Sequence, residues 1–106
     1  MRTDEFNKIV DEMCERVKDT LCVKQEEYNM NEDRLEFFKK ASVLAGNKPH
    51  QVLMGYTNKQ IVSEFEMAAA DKNFTKERWL EKITDIVCYQ YLLLAVLEDT
   101  DEFKKE

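Results

Sequence analysis

The sequence has little that interrupts a helix: one proline and two glycines in 106 residues. That is too few turn formers for an all-β fold of many short strands. It has no glycine-rich phosphate loop. Its single histidine, His50, stands beside Pro49 at an expected helix start, so no Ser/His/Asp or Cys/His catalytic arrangement is in view. The three cysteines, Cys14, Cys22 and Cys88, form no CxxC pair, which speaks against a zinc site and for reduced thiols in a cytoplasmic protein. A basic excess is also missing. With 22 acidic and 16 basic residues the net charge is −6, which excludes sequence-independent binding of DNA or RNA through a basic surface. A small phosphorylated ligand, which needs only a local cationic cluster, stays open. The longest apolar run, Tyr91–Leu97, is far too short to cross a bilayer, and the start MRTDEF is charged at once, so neither a membrane span nor a signal peptide is expected.

What the chain does have is helical periodicity. Thr3, followed by Asp4 and Glu5, reads as the cap of a first helix. The stripe Phe6, Ile9, Val10, Met13, Cys14, Val17, Leu21 and Tyr28 carries that helix to about Glu27. Asn31 is placed to cap a second helix from about Glu32, with Leu35, Phe38, Ala41 and Ala45 on its stripe and Gly46 as its stop. Pro49 suits the first turn of a third helix, because the amide it lacks has no partner there. Gly55 inside that helix costs about 1 kcal/mol relative to Ala, which predicts a close helix contact or a kink. Phe74, Thr75 and Trp79 fit a capped helix start with a hydrophobic staple. The expected architecture is an all-α bundle of about four helices, two of them long, in one domain over residues 1–98. A polar tail follows over 99–106, and the apolar long helices are expected to mediate homo-oligomerisation.

The last helix organises the rest. In Glu81–Glu98 the residues Leu80, Ile83, Val87, Tyr91 and Leu94 recur at helical spacing, widened by Ile86, Leu93 and Leu97. Such a helix is expected to be buried on several sides. Glu81 and Asp85, one turn apart, begin a face that continues through Cys88 and Tyr89 to Leu92. Carboxylates leading into a buried face call for a cation, a metal ion or a water-filled pocket. Mg²⁺ fits, since it takes one or two carboxylates plus substrate phosphates; a salt bridge to Lys59 or Arg78 is the alternative. Lys59 shares a face with Val52, Tyr56 and Ser63, where it either extends its ammonium past the core or reaches an anion. Lys24 and Arg34 could hold phosphate oxygens while Tyr28 offers an aromatic face or a hydroxyl. The plainer reading of that cluster is a solvated helix end.

The succession KxxEY (Lys24–Tyr28), DRLxxFKxA (Asp33–Ala41), GYxxKxxVS (Gly55–Ser63) and EKITDxxxY (Glu81–Tyr89) resembles small helical proteins common in bacteriophages and prophages. These look like the nucleotide-modification-associated domain and, remotely, the MazG-like all-α nucleotide pyrophosphohydrolases. The likeness spans roughly Lys24 to Glu98. Its strongest piece is an acid-xxx-Asp-xx-Asn-Tyr pattern, met here by Glu81, Asp85 and Tyr89 with Cys88 in the Asn position. MazG-type enzymes hold Mg²⁺ with Glu-xx-Glu on one helix and Glu-xx-Asp on another; Glu12 and Glu15 have the first spacing but a weak placement, and the second pair is spaced by four. The resemblance therefore implies a nucleotide-binding protein of phage type, acting in the host cytoplasm. Its ligand-binding candidates are Lys24, Tyr28, Arg34, Lys59 and Tyr89, with Glu81 and Asp85 as metal candidates. One version sequesters a host nucleotide signal as a counter-defence. A second is a Mg²⁺-dependent pyrophosphohydrolase, and a third is a protein-binding inhibitor.

Overall fold

The computed structural model describes residues 1–23 and 33–105, and these fall in two compact units, Met1–Glu32 and Asp33–Glu106. The described residues are 79% helical, with four helices and no strand.

The first unit holds α1, Thr3–Lys18, continued by a π-helical turn at Asp19–Val23. The chain stays helical to Val23, with the π-helical turn following Lys18, and the expected end near Glu27 lies outside the described residues. Within the turn the Thr20 hydroxyl donates to the Arg16 carbonyl at 2.9 Å, a local bond that competes with the regular ladder and bends helices. The expected Thr3 cap is not formed. Arg2 occupies the cap position without a side-chain bond, and its Nε pairs with Asp4 at 3.3 Å. Phe6, Ile9 and Val10 are exposed on this helix, and Val17 is buried.

The second unit is a three-helix bundle: α2, Glu36–Ala45; α3, Pro49–Ala69; and α4, Lys76–Asp99. α2 starts at Glu36, not Glu32, because Asp33 Oδ1 accepts the Leu35 amide at 2.9 Å and makes a turn of the residues before it. Gly46 ends α2 in the left-handed conformation at φ 72°, its amide donating to the Ser42 carbonyl at 2.9 Å. Pro49 opens α3 as expected, and Gln51 Oε1 accepts the Lys48 amide at 2.9 Å. At α4 the Thr75 hydroxyl accepts the Arg78 amide at 3.1 Å. Phe74 meets Trp79 edge-on with ring centroids 6.4 Å apart, so cap and staple both form.

The core is Leu35, Phe38, Leu53 and Val96, with Tyr89, Leu92, Leu93 and Ala95 packed against it. Three buried hydroxyls line the helix faces, those of Ser42, Thr57 and Thr84. Each donates to a carbonyl of its own helix, Lys39, Leu53 and Leu80 in turn, so burial leaves no hydroxyl donor unmatched. Lys39 Nζ bridges Asp33 before α2 and Asp99 at the end of α4, the latter at 2.7 Å. The segment after α4 is tied back as well, against the frayed tail expected there, since Lys48 Nζ reaches Glu102 at 3.2 Å.

Two expectations about this bundle are corrected. A Cβ built on Gly55 would meet nothing within 4 Å, so no close helix contact requires the glycine. And α4 is buried on one side only: Ile83, Tyr91 and Leu94 are exposed while Thr84, Cys88 and Val96 are buried.

Candidate functional site

The inner side of α4 carries Thr84, Cys88, Leu92 and Val96 at a spacing of four, and Tyr89 lies one residue round the same side. Tyr89 is half-buried against the core cluster. Burial pushes its phenol up from the ordinary value, and the charge of Asp85 and the neighbouring Tyr56 push the same way. Burial likewise raises the Cys88 thiol; the Asp85 carboxylate adds to this and the Arg34 guanidinium opposes it. A thiol held above its usual range is protonated at neutral pH and a poor nucleophile.

Arg34, in the turn before α2, and Asp85, on α4, both act on Cys88, while Asp85 and Tyr56 act on Tyr89. Tyr56 in turn is joined to α2 by rings: its centroid is 5.8 Å from Phe37 and 6.4 Å from Phe38, which meet each other edge-on at 5.4 Å. Phe37 is 60% exposed and Tyr56 37% exposed, so this aromatic group presents ring surface to solvent. The rings thus join α2 to α3, and Tyr56 acts in turn on Tyr89 of α4.

Of the residues expected from sequence, Arg34 and Asp85 act electrostatically on Cys88, and Asp85 acts on Tyr89, the next residue in the chain. Lys24 and Tyr28 lie outside the described residues. Lys59 is exposed on α3, one turn beyond Tyr56, and Glu81 is exposed on α4. Among the described residues Lys59 forms no ion pair with Glu81 or Asp85. The cation that crosses between the two helices is Lys82, whose Nζ donates to Gln60 Oε1 at 2.7 Å. Sequence reasoning passed over Phe37, because it falls off the apolar stripe of α2, and read Tyr56 as core. The signal available was the Phe37-Phe38 doublet itself, since a helix that buries one of two adjacent rings must turn the other outward.

As metal ligands, Glu81 and Asp85 are one turn apart and both exposed. Among the described residues no group of three or more His, Cys, Asp and Glu converges. Two carboxylates fit Mg²⁺ only where ligand phosphates and water complete its six-fold shell. His50 Nδ1, at the start of α3, is buried without a hydrogen-bond partner among the described residues. The sequence matches no family model, and neither a curated relative nor a solved structure is similar to it.

Proposed function

We propose that the protein binds a nucleotide, or a nucleotide-derived phosphorylated molecule, on the α2–α3–α4 patch and holds it without turnover. In a cell this would sequester a nucleotide signal, as a phage counter-defence protein does. The observation that carries the reading is the exposed aromatic pair of Phe37 and Tyr56, with Arg34 exposed three residues before Phe37 in the chain. A base stacks on an aromatic ring with about 1–3 kcal/mol, and a guanidinium matches phosphate oxygens with two parallel bonds. Lys59, exposed beside Tyr56, adds a second cation within a turn. Asp85 is suited to accept from a ribose hydroxyl or a base amine. Binding without turnover is preferred to hydrolysis because, among the described residues, no group of three or more His, Cys, Asp and Glu converges to hold a metal.

A thermal-shift screen of nucleotides, cyclic dinucleotides and ADP-ribose derivatives, with Mg²⁺ and with EDTA, tests the reading. A ligand at about 100 times its dissociation constant adds about 2.7 kcal/mol, or roughly 10–20 °C in Tm for a domain of this size. The expected result is a shift that persists in EDTA, with ligand recovered chemically unchanged and affinity reduced at least about tenfold in Tyr56→Ala and Arg34→Ala. A shift that needs Mg²⁺ and decays with release of pyrophosphate would replace the binder with a pyrophosphohydrolase. No shift with any nucleotide sinks both and leaves a protein partner.

A further inference from the structure

The outer side of α4 is a long apolar surface that its own bundle does not cover. Ile83 is 38% exposed, Leu94 52% and Tyr91 59%. These three share one face with Leu80, Val87 and Gln90, and none of the six carries a charge. Charges return to this face only at its two ends, Lys76 at the start of the helix and Glu98 near its close, both exposed. The stripe between them runs 22 residues, about 33 Å. A charge-free stripe of that length, rimmed by ionic residues, is the pattern of an association surface, not of a solvated helix.

The order of residues along the stripe says what would cover it. Val87 is the midpoint between Lys76 and Glu98, and the stripe reads nearly the same from either end. Leu80 and Leu94 stand seven residues to either side of Val87, and Ile83 and Tyr91 stand four residues to either side of it. Two antiparallel copies of α4 centred on Val87 therefore set Val87 against Val87, Ile83 against Tyr91, Leu80 against Leu94, and Lys76 against Glu98. Both end pairs are of opposite charge. A parallel arrangement would oppose Lys76 to Lys76 and Glu98 to Glu98, which is repulsive at both ends. An isologous two-fold contact needs a surface complementary to itself, and this stripe has that property in both its apolar and its charged positions.

We infer that α4 is the interface of an antiparallel homodimer, formed with a second copy of this chain and centred on Val87. The interface leaves the candidate site open. Asp85 and Tyr89 lie on the opposite side of α4 from Ile83 and Val87, at 100° per residue, so each protomer keeps its own patch and dimerisation does not depend on the ligand reading.

Sedimentation analysis of the full chain across a wide range of protein concentration tests the inference. The wild type is expected to be a dimer. Lys76→Glu and Glu98→Lys, each of which turns two attractive end contacts repulsive, are expected to weaken it roughly tenfold. The double variant Lys76→Glu/Glu98→Lys, which restores both contacts with reversed polarity, is expected to recover it. These positions are exposed, so circular dichroism should show unchanged helicity in all three. Val87→Cys, made with Cys14→Ser and Cys22→Ser to remove the other exposed thiols, is expected to form a disulfide-linked dimer on mild oxidation. A monomeric wild type overturns the inference and means that another segment of the same chain, or a different protein, covers the stripe. A dimer indifferent to both single reversals, or unrescued by the double variant, overturns it as well, since the copies then meet elsewhere.

Discussion

The two sides of α4 differ in residue type in the opposite sense to their burial. The outer side is the more apolar by residue type, with Leu80, Ile83, Val87, Tyr91 and Leu94, yet three of these are exposed. The inner side includes Thr84 and Cys88, and both are buried. What decides between them is fit to the neighbours. Thr84 satisfies its hydroxyl on the Leu80 carbonyl, so its burial costs no hydrogen bond, and Thr57 on α3 does the same through Leu53 at 3.0 Å. Compact side chains whose polar atoms are answered within their own helix can line a helix contact, whereas Tyr91 cannot enter one without displacing its neighbours.

One substitution, made on both surfaces, would break this comparison if it is wrong. Leu53 is fully buried at 0% exposure, and Leu94 is 52% exposed. Leu53→Ala is expected to lower stability by about 3 kcal/mol or more through lost transfer energy and a cavity. Leu94→Ala, measured by urea unfolding at protein concentrations low enough to dissociate a dimer, is expected to stay within about 0.5 kcal/mol. A comparable loss at both sites would show that α4 is wrapped on two sides within one chain.

The same contrast marks where sequence reasoning stopped. Signals set by backbone chemistry at one or two positions were legible: Pro49 as a first turn, Gly46 as a left-handed stop, and Thr75 with Phe74 and Trp79 as a capped, stapled start. Each depends on local sterics or on an unpaired amide, and so does not wait on the rest of the fold. The burial of α4 was not legible, because an apolar stripe looks the same whether it meets the same chain or another one. In the candidate site, Arg34, Asp85 and Tyr89 were named from sequence; Arg34 and Asp85 act electrostatically on Cys88, and Asp85 acts on Tyr89. Phe37 and Tyr56 were missed as ligand surface because ring exposure depends on how α2 and α3 are juxtaposed, which no spacing within one helix encodes. The π-helical turn after Lys18 was not legible, because the apolar stripe of α1 continues through it.

A smaller change sharpens the outer side of α3. Gly55 has open space where a Cβ would stand and lies within a continuous helix. Gly55→Ala is expected to raise stability by about 0.5–1 kcal/mol, by restricting the unfolded chain and favouring the helix. Chemical denaturation reads this directly. The variant also probes the patch, since Gly55 precedes Tyr56: unchanged nucleotide affinity is expected if the ligand rests on the rings and not on the α3 backbone. A stability gain accompanied by lost affinity would mean that the glycine is kept to let a ligand approach.

The smallest expected effect is the pH dependence of the inner closure, where Lys39 joins Asp33 and Asp99. The hydrogen bond from Lys39 holds the Asp33 carboxyl below its ordinary 3.8. Bonds to Asp33 and then Asp99 raise the Lys39 ammonium above its ordinary 10.5. A carboxyl depressed in the folded state contributes stability above pH 3.8 that is lost as pH falls through the depressed value. An ammonium raised in the folded state contributes fully below pH 10.5, and that contribution is lost only as pH rises through the raised value. Between those limits the contribution is flat. Because these groups face water, the effect is modest and should shrink as salt is added. Lys39→Met keeps the aliphatic stem and removes the charge, so it separates the two roles of the side chain. The gap in urea midpoint between wild type and Lys39→Met is expected to be constant at neutral pH and to close on acidification below pH 3.8. A gap that survives acid would assign Lys39 to packing over the end of the inner side, and would leave the apolar contacts of Leu35, Phe38 and Val96 to hold α2 against α4 without help from charge.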